Sequence, residues 1–287
     1  MTHRVAVVGT LNMDLVVRVQ RRPDIGETVI GQSLTERPGG KGANQALAAA
    51  GRAPASLIGV VGDDDTGRRM LDAQRAGGVD VRHVAVTGEV SGRAIIEVDD
   101  SGDNRIVVVS GANSLLTPQM VIGALDDVDP AVVMTQLESP ERVTAAVAEW
   151  CGRRDRRLVL NPSPVAPLRS EVIAASNPLV VNEIEAAYYA DASSGDVDAD
   201  AEAVARELCA MAKSVVITLG ADGVVAADGA RVSRVTVDRT PVADTTGAGD
   251  HFAGILAAAL AGGADLHDAA ADAARAATAY LAARQGS

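Results

Sequence analysis

Aromatic residues are nearly missing from this chain: one Trp, three Tyr and one Phe in 287 residues. Its core must therefore be built from Val, Ile, Leu and Ala, a palette that suits alternating helices and parallel strands. Cysteine is as scarce. Cys151 and Cys209 stand alone, which excludes a disulfide framework and a cysteine-based metal site, and leads us to expect a reduced, intracellular protein. Lysine occurs only at Lys41 and Lys213, and the formal net charge is -12. With no basic tract and no aromatic–basic platform, nucleic acid is excluded as a partner. No apolar run is long enough to span a bilayer, and the N-terminus has no signal-peptide pattern, so no membrane partner is expected and a soluble cytoplasmic protein is.

Hydrophobic residues make up 47% of the chain, enough for a full core. The length suits two domains, or one large α/β unit with an insert. The stretch that organises the sequence is Asp244-Thr-Thr-Gly-Ala-Gly-Asp250. It joins a strand expected to end at Val242 and Ala243 to an Ala-rich helix expected from His251 to Leu260. A Gly-x-Gly turn opening a helix aims free backbone N–H groups and the positive end of the helix dipole at one point. A phosphate group suits that point. Asp250 beside it would repel an anion unless it has a task of its own, such as receiving a proton from a hydroxyl during phosphoryl transfer. The competing reading is structural: Asp250 caps the helix and the glycines only make the turn.

The remaining chain reads as strands with polar residues at their carboxyl ends. Residues 5–8 form a buried strand, followed by Thr10-Leu-Asn-Met-Asp14 in place of a dinucleotide-binding Gly-x-Gly-x-x-Gly. Asn12 and Asp14 suit sugar hydroxyls there, or alternatively an Asx-turn. Arg37-Pro-Gly-Gly-Lys-Gly-Ala-Asn-Gln45 reads as a glycine loop before a helix at 46–50. Gly39, Gly40 and Gly42 would let backbone approach a ligand, with Lys41 inside the loop. It is not a Walker A loop, because Gly42 follows the lysine where Ser or Thr would be needed. Asp63, Asp64 and Asp65 precede a helix at 66–75 and read as caps rather than metal ligands. Strands at 132–136, 158–160, 179–181 and 215–219 alternate with helices. Their ends carry Glu138, Asn161, Asn182 with Glu185, and Gly220-Ala-Asp-Gly223. Asn182 and Glu185 share one face of a helical turn and would orient hydrated magnesium, or simply cap the helix. Residues 191–200 read as a polar surface loop, and a last helix is expected at about 266–283.

Two β-rich runs at 93–99 and 105–110, joined by a turn, break the βα alternation. With residues 15–19 and 28–35 they are assigned to a small sheet outside the main one, with Ala94 and Ile106 on its apolar inner face. Such a sheet would cover a site and exclude water.

Taken together, the motifs resemble the ribokinase branch of the PfkB carbohydrate kinase family along nearly the whole chain. The resemblance is carried by N-M-D at residues 12–14, P-G-G-K-G-A-N-Q at 38–45, Q-L-E at 136–138, N-E-I-E at 182–185, T-L-G-A-D-G at 218–223 and D-T-T-G-A-G-D at 244–250. It implies one kinase domain over residues 1–287. The fold would be α/β, a central mainly parallel sheet with helices on both faces, plus a small β-sheet lid from about 15–35 and 93–110 through which homodimers form. It implies transfer of the γ-phosphoryl group of ATP to O5 of D-ribose. Asp250 would be the base, and Gly247, Ala248 and Gly249 the anion hole. Asn12, Met13, Asp14, Gly40, Lys41, Gly42, Ala43, Asn44, Glu138 and Asp250 would surround the sugar. Asn182, Thr218, Leu219, Gly220, Ala221, Asp222, Gly223, Gly249 and Asp250 would meet the nucleotide, with Glu185 near Mg2+. Asp244, Thr246, Leu281, Arg284 and Gly286 would surround an activating K+ ion. Family members usually continue beyond this point with a hydroxyl residue that completes the potassium shell, so an incomplete shell is expected here. Arg275 stands where the family often has Asn or His beside the adenine. Two other readings compete: a PfkB-family kinase for another sugar such as deoxyribose, and a non-catalytic sugar-binding regulator. Asp250 beside the backbone of 247–249 argues against the second, since a binder needs no base.

Overall fold

The computed structural model describes residues 3–101, 104–237 and 245–284. In chain order the elements begin with β1 (Val5–Val8), β2 (Asn12–Arg18), β3 (Ser33–Gly39), α1 (Lys41–Ala50), β4 (Ala55–Gly62), α2 (Asp65–Ala76) and β5 (Asp80–Thr87). There follow β6 (Arg93–Val98), β7 (Asn104–Val109), α3 (Pro118–Val128), β8 (Val132–Thr135), α4 (Glu141–Arg154), β9 (Arg157–Leu160), α5 (Ser170–Ala175) and β10 (Ser176–Asn182). The chain continues with α6 (Glu183–Tyr189), α7 (Ser194–Ala199), α8 (Ala201–Leu208), β11 (Val215–Thr218), β12 (Val224–Ala227), β13 (Val232–Val235), α9 (Ala248–Ala261) and α10 (Leu266–Arg284).

Nine strands form the main sheet in the order β13-β12-β11-β10-β9-β8-β1-β4-β5. The seven from β11 to β5 pair in parallel, and β12 turns back antiparallel at one edge. Strand alternation divides the core in two. Ala6 and Val8 face a layer holding Val121, Val147 and Val204 of α3, α4 and α8. Val5 and Val7 face a layer holding Ala46, Met70, Leu256 and Ala270 of α1, α2, α9 and α10. Both faces are thus covered, and a ligand can reach the sheet only at the strand ends.

The smaller sheet has the order β3-β2-β6-β7 and is mixed: β2 pairs parallel with β6 and antiparallel with β3. Its buried face carries Ala94 and Ile96. The expectation for Ile106 is corrected, because that side chain is 54% exposed. β7 is an edge strand, and all of its residues are exposed.

Several elements differ from the sequence reading. β3 runs through Gly39, so residues 28–32 lie outside it. β5, α3 and β13 have no counterpart in that reading. Residues 191–200 contain α7 rather than only loop: Ser193 accepts from Asp196 N–H and Asp196 reaches back to Ser193 N–H, a capping box that nucleates the turn. Asp64 does cap α2, accepting from Gly67 N–H at 2.7 Å. Val242, Ala243, Asp244 and Gly286 lie outside the described residues.

Candidate active site

The site forms where the amino ends of α1 and α9 meet. Small residues permit that meeting. A Cβ on Gly254 of α9 would lie 2.4 Å from the carbonyl oxygen of Gln45 and 2.6 Å from the Cβ of Ala48. The start of α1 is pinned in the same way. A Cβ on Gly42 would lie 2.6 Å from backbone atoms of Gly9 and Thr10, and Gly40 adopts φ 93° with Thr10 O and Asn12 N at 2.8 Å from its Cβ position. These glycines allow close approach between two stretches of the chain itself. The sequence reading is corrected for Lys41 and Asn44, which belong to the first turn of α1 rather than to a loop. Asn12 and Asp14 likewise lie within β2, not in a turn after β1.

Asp250 is the third residue of α9. Its Oδ2 accepts a hydrogen bond from Asn44 Nδ2 at 3.1 Å, and its Oδ1 accepts one from Gln45 Nε2 at 3.0 Å. Gln45 is fully buried. Its second amide hydrogen goes to Asn161 Oδ1 at 3.2 Å, and its Oε1 accepts from Gln136 Nε2. Asn161 in turn donates to Val180 O at 3.0 Å. A chain of amides from α1 and the ends of β8 and β9 therefore fixes the carboxylate, with every donor aimed at an acceptor. Gly247, at φ 82°, precedes the helix. Ala248 N–H is engaged by Thr245 O at 3.1 Å, so the first-turn donors left to a ligand are those of Gly247, Gly249 and Asp250.

Two of the cavities that border this point concern the reacting groups. One, of about 140 Å³, is lined by Lys41, Asn161, Asn182, Glu185, Gly247 and Asp250 among others. The other, of about 210 Å³ and mostly apolar, lies between Gly220, Ala221, Gly223, Phe252, Ala274, Ala277 and Leu281. Thr218 and Gly249 line both. The turn after β11 is held by Leu219 N–H donating to Gly223 O at 2.9 Å, and a Cβ on Gly223 would lie 1.9 Å from Val235 O. It is a tight hairpin turn that also walls the larger of these two cavities. Asn182 and Glu185 form a reciprocal cap: Asn182 Oδ1 accepts from Glu185 N at 2.8 Å and Glu185 Oε2 from Asn182 N at 3.0 Å.

The sugar set gathers at the start of β2. Glu138 Oε2 accepts from the Thr10 hydroxyl and from Lys41 N–H, the latter at 3.2 Å. Asn12 is 2% exposed, and its Oδ1 accepts from Asn113 Nδ2 at 2.9 Å. Burial pushes the Asp14 carboxyl up to about 6; Arg37 opposes this, and the nearby charges of Glu138 and Asp250 add to it. Arg37 Nε stands 3.9 Å from Asp14 Oδ2. Met13, Ala43 and Leu219 turn their side chains inward. Each is buried in the apolar core, Met13 because strand alternation turns it away from Asn12 and Asp14. Asp222 is exposed on the turn beyond β11. Thr246 O accepts from Arg284 Nη1 at 2.7 Å, so the arginine reaches this carbonyl through its side chain. Arg275 lies 3.9 Å from Asp272, on the exposed face of α10, and not against the mostly apolar cavity.

Gln45, Gln136, Asn161, Thr10, Asn113 and Arg37 were assigned no site role by the sequence reading, although Gln45 and Gln136 stand inside its motifs and Asn161 at a strand end. A glutamine in an Ala-rich buried helix was the available signal, since such an amide must find partners.

The family model described as "pfkB family carbohydrate kinase" matches residues 2–286. The chain is 39% identical over 270 residues to a Bacillus subtilis ribokinase, covering 92% of this chain and 88% of that one. Against a Mus musculus ribokinase the identity is 33% over 263 residues, with 90% and 81% covered. The solved structure of an Arabidopsis thaliana ribokinase complexed with ribose and ATP superposes with TM-score 0.84 at 28% identity, covering 96% of this chain and 92% of that one. With its glycine-pinned site and these similarities over most of its length, the chain belongs to the pfkB family of carbohydrate kinases.

Proposed function

We propose that the protein transfers the γ-phosphoryl group of ATP to O5 of D-ribose, giving ribose 5-phosphate. The observation that carries this reading is the Asp250 carboxylate, held by Asn44 and Gln45 at the mouth of a helix and sharing a cavity with Lys41. Asp250 accepts the proton of the sugar hydroxyl. In a loose transition state little proton transfer is needed early, so fixed position is its main contribution. The Gly247 and Gly249 N–H groups receive the negative charge of the transferring group, and Lys41 offsets charge from the opposite side. Ala248 contributes through its backbone turn. Asn12, Asp14, Gly40, Gly42, Asn44 and Glu138 form the sugar pocket. Asp14 and Glu138 accept from hydroxyls, and a furanose lacking one leaves a buried acceptor unpaired. Asn182, Thr218, Gly220, Ala221 and Gly223 form the nucleotide wall.

Among the described residues no three acidic or imidazole side chains converge on a metal. That fits magnesium held mainly by phosphates and water, with Glu185 beside Asn182 as the protein's oxygen donor; bound there it would neutralise phosphate charge. Potassium fits less well. Thr246 O is already bonded to a cation, the Arg284 guanidinium. The smaller sheet serves as the lid, and two lone cysteines suit the cytoplasm.

ADP release measured with a panel of pentoses and hexoses tests the reading. Ribose should give the highest kcat/KM. A higher value for deoxyribose or another sugar would reassign the substrate only, and no ATP turnover with any sugar would overturn the kinase reading.

A further inference from the structure

We propose that the Arg284 guanidinium is a built-in cation that polarises the Thr246–Gly247 peptide and so strengthens Gly247 N–H as a donor to the transferring phosphoryl group. The inference rests on the kinase reading above and deepens it. Thr246 C=O and Gly247 N–H belong to one peptide group. A charged donor on the oxygen draws electron density across the amide and makes its N–H more positive. Arg284 Nη1 lies 2.7 Å from that oxygen.

The guanidinium is also held by Tyr280, one turn back on its own helix α10. Nη1 also lies 3.1 Å from the Tyr280 hydroxyl, and the charged carbon stands 5.5 Å from the centroid of the Tyr280 ring. Tyr280 stacks on His251, with ring centroids 4.4 Å apart and planes 10° from parallel. His251 follows Asp250 directly in α9. The Tyr280 hydroxyl is 3.5 Å from the Cβ position of Gly247. A stack of imidazole, phenol and guanidinium thus links the base, the turn and the end of α10. A solvated arginine would lose its effect to screening and side-chain entropy; this one is bonded to the Thr246 oxygen and packed on Tyr280, on the peptide that leads into cavity-lining Gly247. The same charge would repel a monovalent cation approaching Thr246 O. Arg284 therefore stands in for potassium, and turnover needs little of that ion.

Arg284→Met, Arg284→Lys and Tyr280→Phe test this in the full-length protein. Kinetics are run in tetramethylammonium or potassium chloride at equal ionic strength, and the Gly247 amide proton is followed by NMR in ADP-bound protein. Arg284→Met should lower kcat about 10-fold with the sugar KM unchanged, less than loss of an anion-hole donor itself. Millimolar guanidinium should restore much of that loss. Arg284→Lys should keep most of the rate, and Tyr280→Phe should lose a few-fold. The Gly247 proton should move upfield in Arg284→Met. A kcat within twofold of wild type together with an unmoved Gly247 resonance overturns the proposal. So does a wild-type rate that rises 10-fold or more with potassium. If ribose is not turned over while the Gly247 proton still moves, the ribose reading falls and the polarised peptide stands.

Discussion

At the scale of single residues, the site is a set of carboxylates treated differently by their surroundings. Both oxygens of Asp250 accept from amide NH2 groups. In Asp250→Asn the new NH2 must face one of those donors, so two effects are expected together. Turnover should fall by about 10²–10⁴ as the base is lost. Stability should fall by about 1–3 kcal/mol as a donor meets a donor. Calorimetric ribose binding should persist, and near-normal turnover would remove Asp250 as the base. Asp14 works the other way. Its carboxyl titrates at about 6, against an ordinary value of 3.8, mainly because it is buried. The folded state therefore holds this proton more tightly than the unfolded chain does. Stability from this group is present below about pH 4 and is lost as pH rises through about 6. Asp14→Asn should then be more stable than wild type at pH 8 by about 1–2 kcal/mol, allowing for partial solvation, with the gap closing below pH 4. Urea titrations at the two pH values check this. Wild-type ribose affinity should fall as pH drops through 6, because the protonated acid accepts hydroxyl bonds poorly.

At the scale of elements, α1 is the part whose placement decides the site. Gly42→Ala would press a methyl group onto backbone atoms 2.6 Å away that have no flexible end to yield. We expect a loss of about 1–3 kcal/mol in urea unfolding. A drop in kcat should accompany it, because Asn44 and Gln45 would shift from Asp250. Unchanged kcat with normal stability would show that the contact is loose. This element also marks the limit of what was legible in the sequence. The strand ends bearing Glu138 and Asn182 could be read, because a buried parallel strand is a short Val/Ile/Leu run with a polar stop. That the P-G-G-K-G run was half strand and half helix could not. Its glycines look flexible in one dimension and become rigid only against Gly9 and Thr10, residues far away in sequence. β5 was missed because it is an edge strand whose half-polar pattern, with Asp80, Arg82 and His83, hides the period. Asn113, which clamps Leu11 and Asn12, sits in a stretch with no pattern at all.

At the scale of the molecule, the exposed strand β7 presents Ile106, Val107, Val108 and Val109 in a row at an open sheet edge. Such an edge invites pairing with another chain, and we propose that two copies join there through their lids. Val108→Lys should move the sedimentation of the protein from dimer toward monomer, whereas a wild-type monomer at micromolar concentration would refute the interface. The glycine contacts carry a consequence for divergence. At Gly42 and Gly254 the shortest distances that set the site run to backbone atoms. Descendants of such a protein can exchange most of the side chains around their core and keep the reacting groups in register, provided these few positions stay bare. That leaves a path along which sequence drifts quickly while shape drifts slowly, in keeping with a TM-score of 0.84 at 28% identity.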